Sequence, residues 1–542
     1  MQPLALVLSA LAVVSLPIQE PHRHEGRLGS VRFANSCAPA AQPDFGRGMA
    51  LLHSFEFGAA IEAFSLVTRD DPSCGIAHWG TALASWGNPF SAAIRPAAPL
   101  QAGRAALERA TAAGAKSERE RDYIAAVAAL YDRFESVDQP ARMRSYRDAM
   151  ARLSAKYPGD VEASAFYAVA LAAAADPADK TYADQRKAGG LMERLWRAHP
   201  DHPGLAHYVI HSYDVPALAP RAVAAARRYA KIAPAAPHAL HMPSHTFTRL
   251  GYWQDSIDTN VLSAEAARKT GSLFEEFHAS DYQVYAYLQS GQDAAARTVV
   301  DRAADALARG ATNTRAGAAP ASAGAYAFAA IPARYALERG DWAAAARLEP
   351  RASAFPYADA LTWFARAIGA ARLRDTATAR AAVDELQKAV DRLTQAGETY
   401  WVEQVQIQKL GASAWLALAE GRQAEALTAM RQAADREDRT EKSAVTPGPL
   451  APARELLGEM LLDMKQPAAA RAEFQKTMAK EPNRFRAIAG AAAAASQAGD
   501  LDGARRLYAQ LLTICPRGDA PGRPELEAAR GAAARGTGVR KR

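Results

Sequence analysis

A self-similarity at a spacing of 34 residues constrains this chain more than any other feature in it. Gly458, Ala470, Phe474 and Pro482 recur 34 positions later as Ala492, Ala504, Tyr508 and Pro516. If Gly458 is position 8 of a unit, these residues occupy positions 8, 20, 24 and 32. Near the front, Gly48, Ala60, Phe64 and Pro72 fit the same register. Small residues at positions 8 and 20 let two helices approach closely. An aromatic at 24 fills the gap between successive hairpins, and proline at 32 stops the second helix. Apolar residues follow a helical period nearly end to end, and no segment alternates as a strand would.

This is the tetratricopeptide-repeat pattern, and it predicts an all-α, superhelical solenoid of antiparallel helix pairs, each touching only its neighbours. Gly251 with Trp253, Gly340 with Trp342, and Gly421 sit at expected inter-helix turns. An N-terminal array is expected over residues 37–307 and a C-terminal array over 326–516. The Gly/Ala/Thr-rich stretch 308–325 lacks helical patterning and reads as a linker between them. Residues 440–452 (TEKSAVTPGPLAP) form a second long loop, stiffened by three prolines. The Gly/Ala/Arg-rich residues 517–542 read as a disordered basic tail.

Composition removes several classes of function. With 49% apolar and 23% charged residues, the 542-residue chain is neither disordered throughout nor collagen-like. Of its net charge of +7, the tail supplies +4, so the body carries no nucleic-acid footprint. Residues 1–20 read as an export signal: the apolar run at 4–16 is shorter than the roughly 20 residues a membrane-spanning helix needs. No later segment is apolar enough to span. Three cysteines suit an exported, periplasmic or secreted protein. Cys37 and Cys74 bracket the first hairpin and could bridge it, with two buried thiols as the alternative; Cys515 is left over. There is no Gly-Lys dipeptide, G-x-S-x-G, H-E-x-x-H or C-x-x-C, so phosphate-loop, hydrolase-elbow, zincin and thioredoxin-like chemistry lack their motifs.

The main chemical signal is histidine. Five of the twelve lie between His207 and His245. His207 and His211 are spaced i, i+4, as are His241 and His245, so each pair shares a helix face. The second pair follows the first by 34 residues, which puts both at repeat positions 5 and 9. The tetratricopeptide resemblance implies that positions 2, 5, 9, 12 and 13 line the concave groove. That adds His238 and His278 at position 2, Asp281 at 5, Tyr285 at 9 and Arg249 at 13. Glu455 and Glu459 occupy positions 5 and 9 far along the chain and would face the histidines if the superhelix curls enough.

Neighbouring helices pack about 8–10 Å apart, so His207, His211, His241 and His245 could close around one divalent transition metal. Imidazole-rich sets suit Zn or Cu first, and Ni or Fe after them. His238, His278 and Asp281 would be further ligands or support them, with Glu275, Glu276 or Asp281 as base if metal-activated water does chemistry. Two alternatives stay open: a groove that binds an anionic ligand, or grips a peptide or protein, through its imidazoles without metal, and inert groove lining. His53 and His78 read as core or groove residues.

The strings LLHSFEFGAAIEAF, DPSCGIAHWGTAL, HYVIHSYD, HALHMPSHTFTRLGYW and TEKSAVTPGPLAPARELLGEMLL resemble a family of exported bacterial tetratricopeptide-repeat proteins without an established activity. The resemblance covers nearly the whole mature chain and implies the fold and export. Relatives often carry HPVTPG in the proline loop, where this chain has Ser443 and Ala444 ahead of Val445, Thr446, Pro447 and Gly448. If that histidine is a ligand in relatives, it is missing here, which speaks against a part for the loop in the site.

Overall fold

The computed structural model describes residues 26–311 and 317–538, so the expected export signal lies outside the described residues. Those residues form helices joined by turns and loops, with no strand among them. The first hairpin pairs Gln42–His53 with Phe57–Asp70, and a late one pairs Phe485–Gln497 with Leu501–Ile514. Cys37 and Cys74 are joined by a disulfide. The repeat register has a direct packing cause. Phe474 is wedged between two hairpins: a Cβ added to Gly458 or Gly490 would lie 2.8 or 2.4 Å from its ring. Phe64 fills the same place between Gly48 and Gly80. A side chain at either glycine would force the hairpins apart.

Position 15, the inter-helix turn, needs a left-handed backbone. Glycine supplies it at Gly251, Gly291 and Gly499 (φ 67, 68 and 80°). In the first hairpin the same position is Phe55, at φ 58°, a strained conformation for a bulky residue that costs about 1–2 kcal/mol. Its ring ends up against the histidines described below.

Apolar packing forms two large clusters, one from Leu28 to Phe247 and the other from Tyr326 to Ala494. A smaller cluster built on Phe277, Val284, Leu288 and Ile331 draws on the helices between them. The helix Ala321–Glu338 starts inside the stretch expected to be a linker, and Ala318 and Ala319 just before it are buried. The expected disordered tail is also corrected: Pro524–Gly538 is helical, with Leu526 and Ala529 fully buried. Those two apolar residues, three apart, give that segment a face that its Gly/Ala/Arg composition hides. Among the described residues no helix is long and apolar enough to cross a membrane.

The superhelix closes on itself. Trp253 Nε1 donates to Asn483 O at 2.8 Å, and Phe485 N donates to Gln289 Oε1 at 2.8 Å. On the other side, Lys180 and Tyr182 hold Glu441 at 2.9 and 2.8 Å. At the seam lies a buried charge cluster in which Arg484 binds Glu455 (2.7 Å) and Glu338 (2.7 Å). Arg486 binds Glu459, so both carboxylates expected to face the histidines are taken up by arginines. Burial, with Glu338 nearby, raises the Glu455 carboxyl to about 7.

Removing the guanidinium would leave two acids buried without their cation. Arg484→Met is therefore expected to destabilise the fold by about 3–5 kcal/mol, read by urea unfolding at neutral pH. A loss below about 1 kcal/mol would show that the seam contributes little.

Candidate metal centre

Three segments carry the histidines. Pro203–Ser212 presents His207 and His211, and Leu273–Gln289 presents His278. Between them, Pro237–His241 and Pro243–Leu250 are separated only by Met242, whose backbone is itself helical (φ −55°, ψ −34°). His238, His241 and His245 therefore share one face across the break. All six imidazoles are buried.

The four histidines expected around one ion do not meet as one set. They divide into two trios, His207/His211/His238 and His241/His245/His278, and in each one ring nitrogen per residue lies within 4.8 Å of the others. Both trios follow the same construction: positions 5 and 9 of one hairpin and position 2 of the next. Rings from the two trios approach to 5.9 Å (His211 and His245) and 6.0 Å (His238 and His241) between centroids.

The second trio poses a hydrogen-bonding problem that neutral protein atoms cannot solve. His245 Nδ1 lies 2.9 Å from Asp214 Oδ2. Asp214 is held well below the usual carboxylate range by Lys442 and Arg249 against the cost of its burial. The carboxylate accepts, so His245 Nδ1 carries the proton. His241 Nδ1 lies 2.7 Å from Asn260 Oδ1, whose amide nitrogen donates to Ser256 O at 2.7 Å, so His241 Nδ1 donates too. Burial pushes His245 down to about 4, and burial with neighbouring imidazoles pushes His241 well below 6.5. Each neutral ring has one proton, already placed on Nδ1. The two Nε2 atoms nevertheless face each other at 3.1 Å, lone pair to lone pair. A cation between them resolves the conflict, since two nitrogens bound tetrahedrally at roughly 2.0–2.1 Å sit about 3.3 Å apart.

The first trio repeats the arrangement. His207 Nδ1 donates to the His53 carbonyl at 2.7 Å, and His238 Nδ1 is 3.3 Å from Glu275 Oε1. The Nε2 atoms of His207, His211 and His238 are all buried and without partners, a state that asks for an ion or an ordered water. Phe55 packs on all three rings, and Phe90 stacks on His211 at 4.2 Å. These partners orient the imidazoles as outer-shell groups orient metal ligands.

A third cluster shows the contrast. His53 Nε2 and His202 Nε2 each lie 2.8 Å from a different oxygen of buried Glu162, and His53 Nδ1 is 2.9 Å from Tyr208 OH. Every facing pair there is donor to acceptor, so the Glu162 carboxylate is satisfied by its two imidazoles, while His202 Nδ1 is left without a partner. Asp71 beside the disulfide is likewise satisfied, by Ala38 N and Ser73.

Several expected participants belong elsewhere. Asp281 is paired with Arg334 at 2.7 Å and Glu276 with Arg268 at 2.9 Å, so neither serves as a base. Tyr285 OH reaches Glu481 at 3.1 Å and Arg484 at 3.1 Å. Arg249 acts through Asp214. His78 is only half-buried and joins no trio. Conversely, the proline loop does reach the site: Tyr282 OH donates to Thr446 O at 3.0 Å, and Ser443, Ala444 and Val445 line one pocket with His238 and His278. Sequence reasoning missed Asp214, Asn260 and Phe55. Of these only Asp214 carried a signal, three residues after His211.

Burial lowers His245 to about 4 and His278 to about 3. The unfolded chain, with imidazoles near 6.5, therefore takes up more protons as pH falls. Stability from these groups is full above about pH 6.5 and drains away toward the folded values. Thermal unfolding in chelator is expected to fall in Tm from about pH 7 to pH 4.5, less steeply in His278→Gln. Equal slopes would contradict the buried neutral imidazole.

No family model matches this chain, and no curated protein does. Solved structures do. The human IFIT1 dimer with m7Gppp-AAAA is 11% identical at TM-score 0.39, covering 88% of this chain and 96% of that one. The human IFIT1 dimer with PPP-AAAA is 10% identical at TM-score 0.38, over 88% and 95%. This chain is a helical-repeat solenoid, and similarity at that level extends no argument to ligand or activity.

Proposed function

We propose that this chain is an exported metal-binding tetratricopeptide-repeat protein whose buried histidine trios hold transition-metal ions on the concave face. The observation that carries the reading is the 3.1 Å approach of His241 Nε2 to His245 Nε2 when both rings have spent their only proton on Nδ1. Imidazole-only sets favour copper or zinc over the hard cations, which prefer oxygen. Three protein ligands also leave a position open on each ion, the arrangement of catalytic rather than purely structural sites. The Cys37–Cys74 bridge supports export, because disulfides persist in oxidising compartments.

The reading of the groove as a peptide grip has less behind it. Residues of the proline loop lie against the histidine face, with Ala444 O and Thr446 O accepting from Tyr282 OH, so the chain itself covers that part of the groove.

Elemental analysis of protein purified without chelator or affinity metal tests the proposal, beside His211→Ala/His245→Ala, which removes one ligand from each trio. Bound copper or zinc in the native chain and none in the variant is the expected result. Absence of metal from the native chain, with no uptake on dialysis against either ion, would sink it. Asp214→Asn, which withdraws the acceptor behind His245, is expected to weaken metal affinity about 10–100-fold without abolishing it.

A further inference from the structure

We infer that the two trios form one dinuclear centre, with an ion in each and a small oxygen-donor anion, hydroxide at rest, bridging them from a shared pocket. This rests on the metal reading above and adds the number of ions, their common access and the class of the exogenous ligand.

The trios are complete and separate. No ligand is shared, and each has its own supporting set: the His53 carbonyl and Glu275 behind the first, Asn260 and Asp214 behind the second. They are also adjacent, with rings 5.9 and 6.0 Å apart across the boundary. The same rule of positions 5, 9 and the following 2 generates both, so a sequence that builds one builds the other.

One pocket touches one histidine of each trio, His238 and His278. Both carry a buried nitrogen without partner, Nε2 of His238 and Nδ1 of His278. Its other walls, such as Phe90, Ala319, Tyr357, Trp401 and Val445, bring no charged side chain. A ligand entering there meets both ions at once and finds no competing base.

Charge dictates what that ligand is. Six neutral imidazoles around two divalent ions leave four positive charges. Asp214 is already matched by Arg249 and Lys442, and Glu162 by His53 and His202, so neither is free to balance the ions; Glu275 and Glu56 lie beside His238. Buried excess charge is expensive, and a small anion seated between the ions relieves it without reshaping the walls.

Copper(II) reports on all three parts. The chelated full-length protein would be reloaded with copper(II), dialysed, and measured for copper per chain and for the spin detected by electron paramagnetic resonance. Two coppers per chain with less than half the spin visible are expected, because a bridging anion couples the ions. Azide should then raise a new visible absorption band. His207→Gln and His241→Gln should each hold one copper with its full spin. Ser322→Trp, which fills the pocket from the helix Ala321–Glu338, should keep two coppers and weaken the azide response at least about tenfold. One copper in the native chain, or two with full spin and no azide response, would overturn the dinuclear centre while leaving the metal reading intact. No copper at all would remove both.

Discussion

The architecture hangs on one buried guanidinium, Arg334. It donates to Asp281 at 2.7 Å, to Thr446 Oγ1 at 2.6 Å, and to the Gly448 and Pro449 carbonyls at 2.8 and 3.1 Å. Those partners belong to the helix that carries His278 and to the proline loop that roofs the histidines. Arginine suits the task because its planar fork offers several donors in fixed directions and stays charged when buried. The ion pair's value here is orientation more than net stability, since desolvating both charges costs most of what their attraction returns. With the loop so fixed, Tyr282 finds its carbonyl acceptors and the histidine face is covered except at the pocket that His238 and His278 line.

Within that interior, the Glu162 carboxylate and the two trios differ in what their polar atoms meet. Glu162 takes one proton each from two imidazoles and asks for nothing more. A few ångströms away, the trios leave nitrogen lone pairs aimed at each other or at nothing, at a cost of about 1–3 kcal/mol for each buried group left unpaired. In each trio three ring nitrogens lie within 4.8 Å of one another, a convergence that scattered packing faults would not produce. At Phe55, as at Lys465 in a later hairpin, the left-handed turn is held without glycine, and here it sets an aromatic ring against the first trio.

The fold and much of the histidine set were legible in the sequence because both obey the repeat register. Gly458 and Phe474 announced their contact through spacing, and His207, His211, His241 and His245 announced a common face through i, i+4 pairs at matching positions. Their grouping was not legible. Positions 5 and 9 of consecutive hairpins look as though they should converge, but the rotation between hairpins brings position 2 of the next unit alongside instead. His238 and His278 thus become full members of the trios. The carboxylates at positions 5 and 9 of later units failed as metal partners because arginines from the neighbouring hairpins reach them first, as Arg334 reaches Asp281 and Arg484 reaches Glu455.

The sequence alone determined the helix period, the hairpin register, the turn positions and the face on which the histidines fall, because these depend on residues within one or two repeats. Only the tertiary structure decided which imidazoles meet, which acids remain free, and that the proline loop closes over them. Those outcomes depend on the accumulated turn of the superhelix, which brings residues 160 to 200 positions apart within hydrogen-bonding distance, as with Tyr282 and Thr446 or Tyr285 and Arg484. A small rotation repeated at every hairpin leaves no local mark in the sequence, yet it sets every long-range contact.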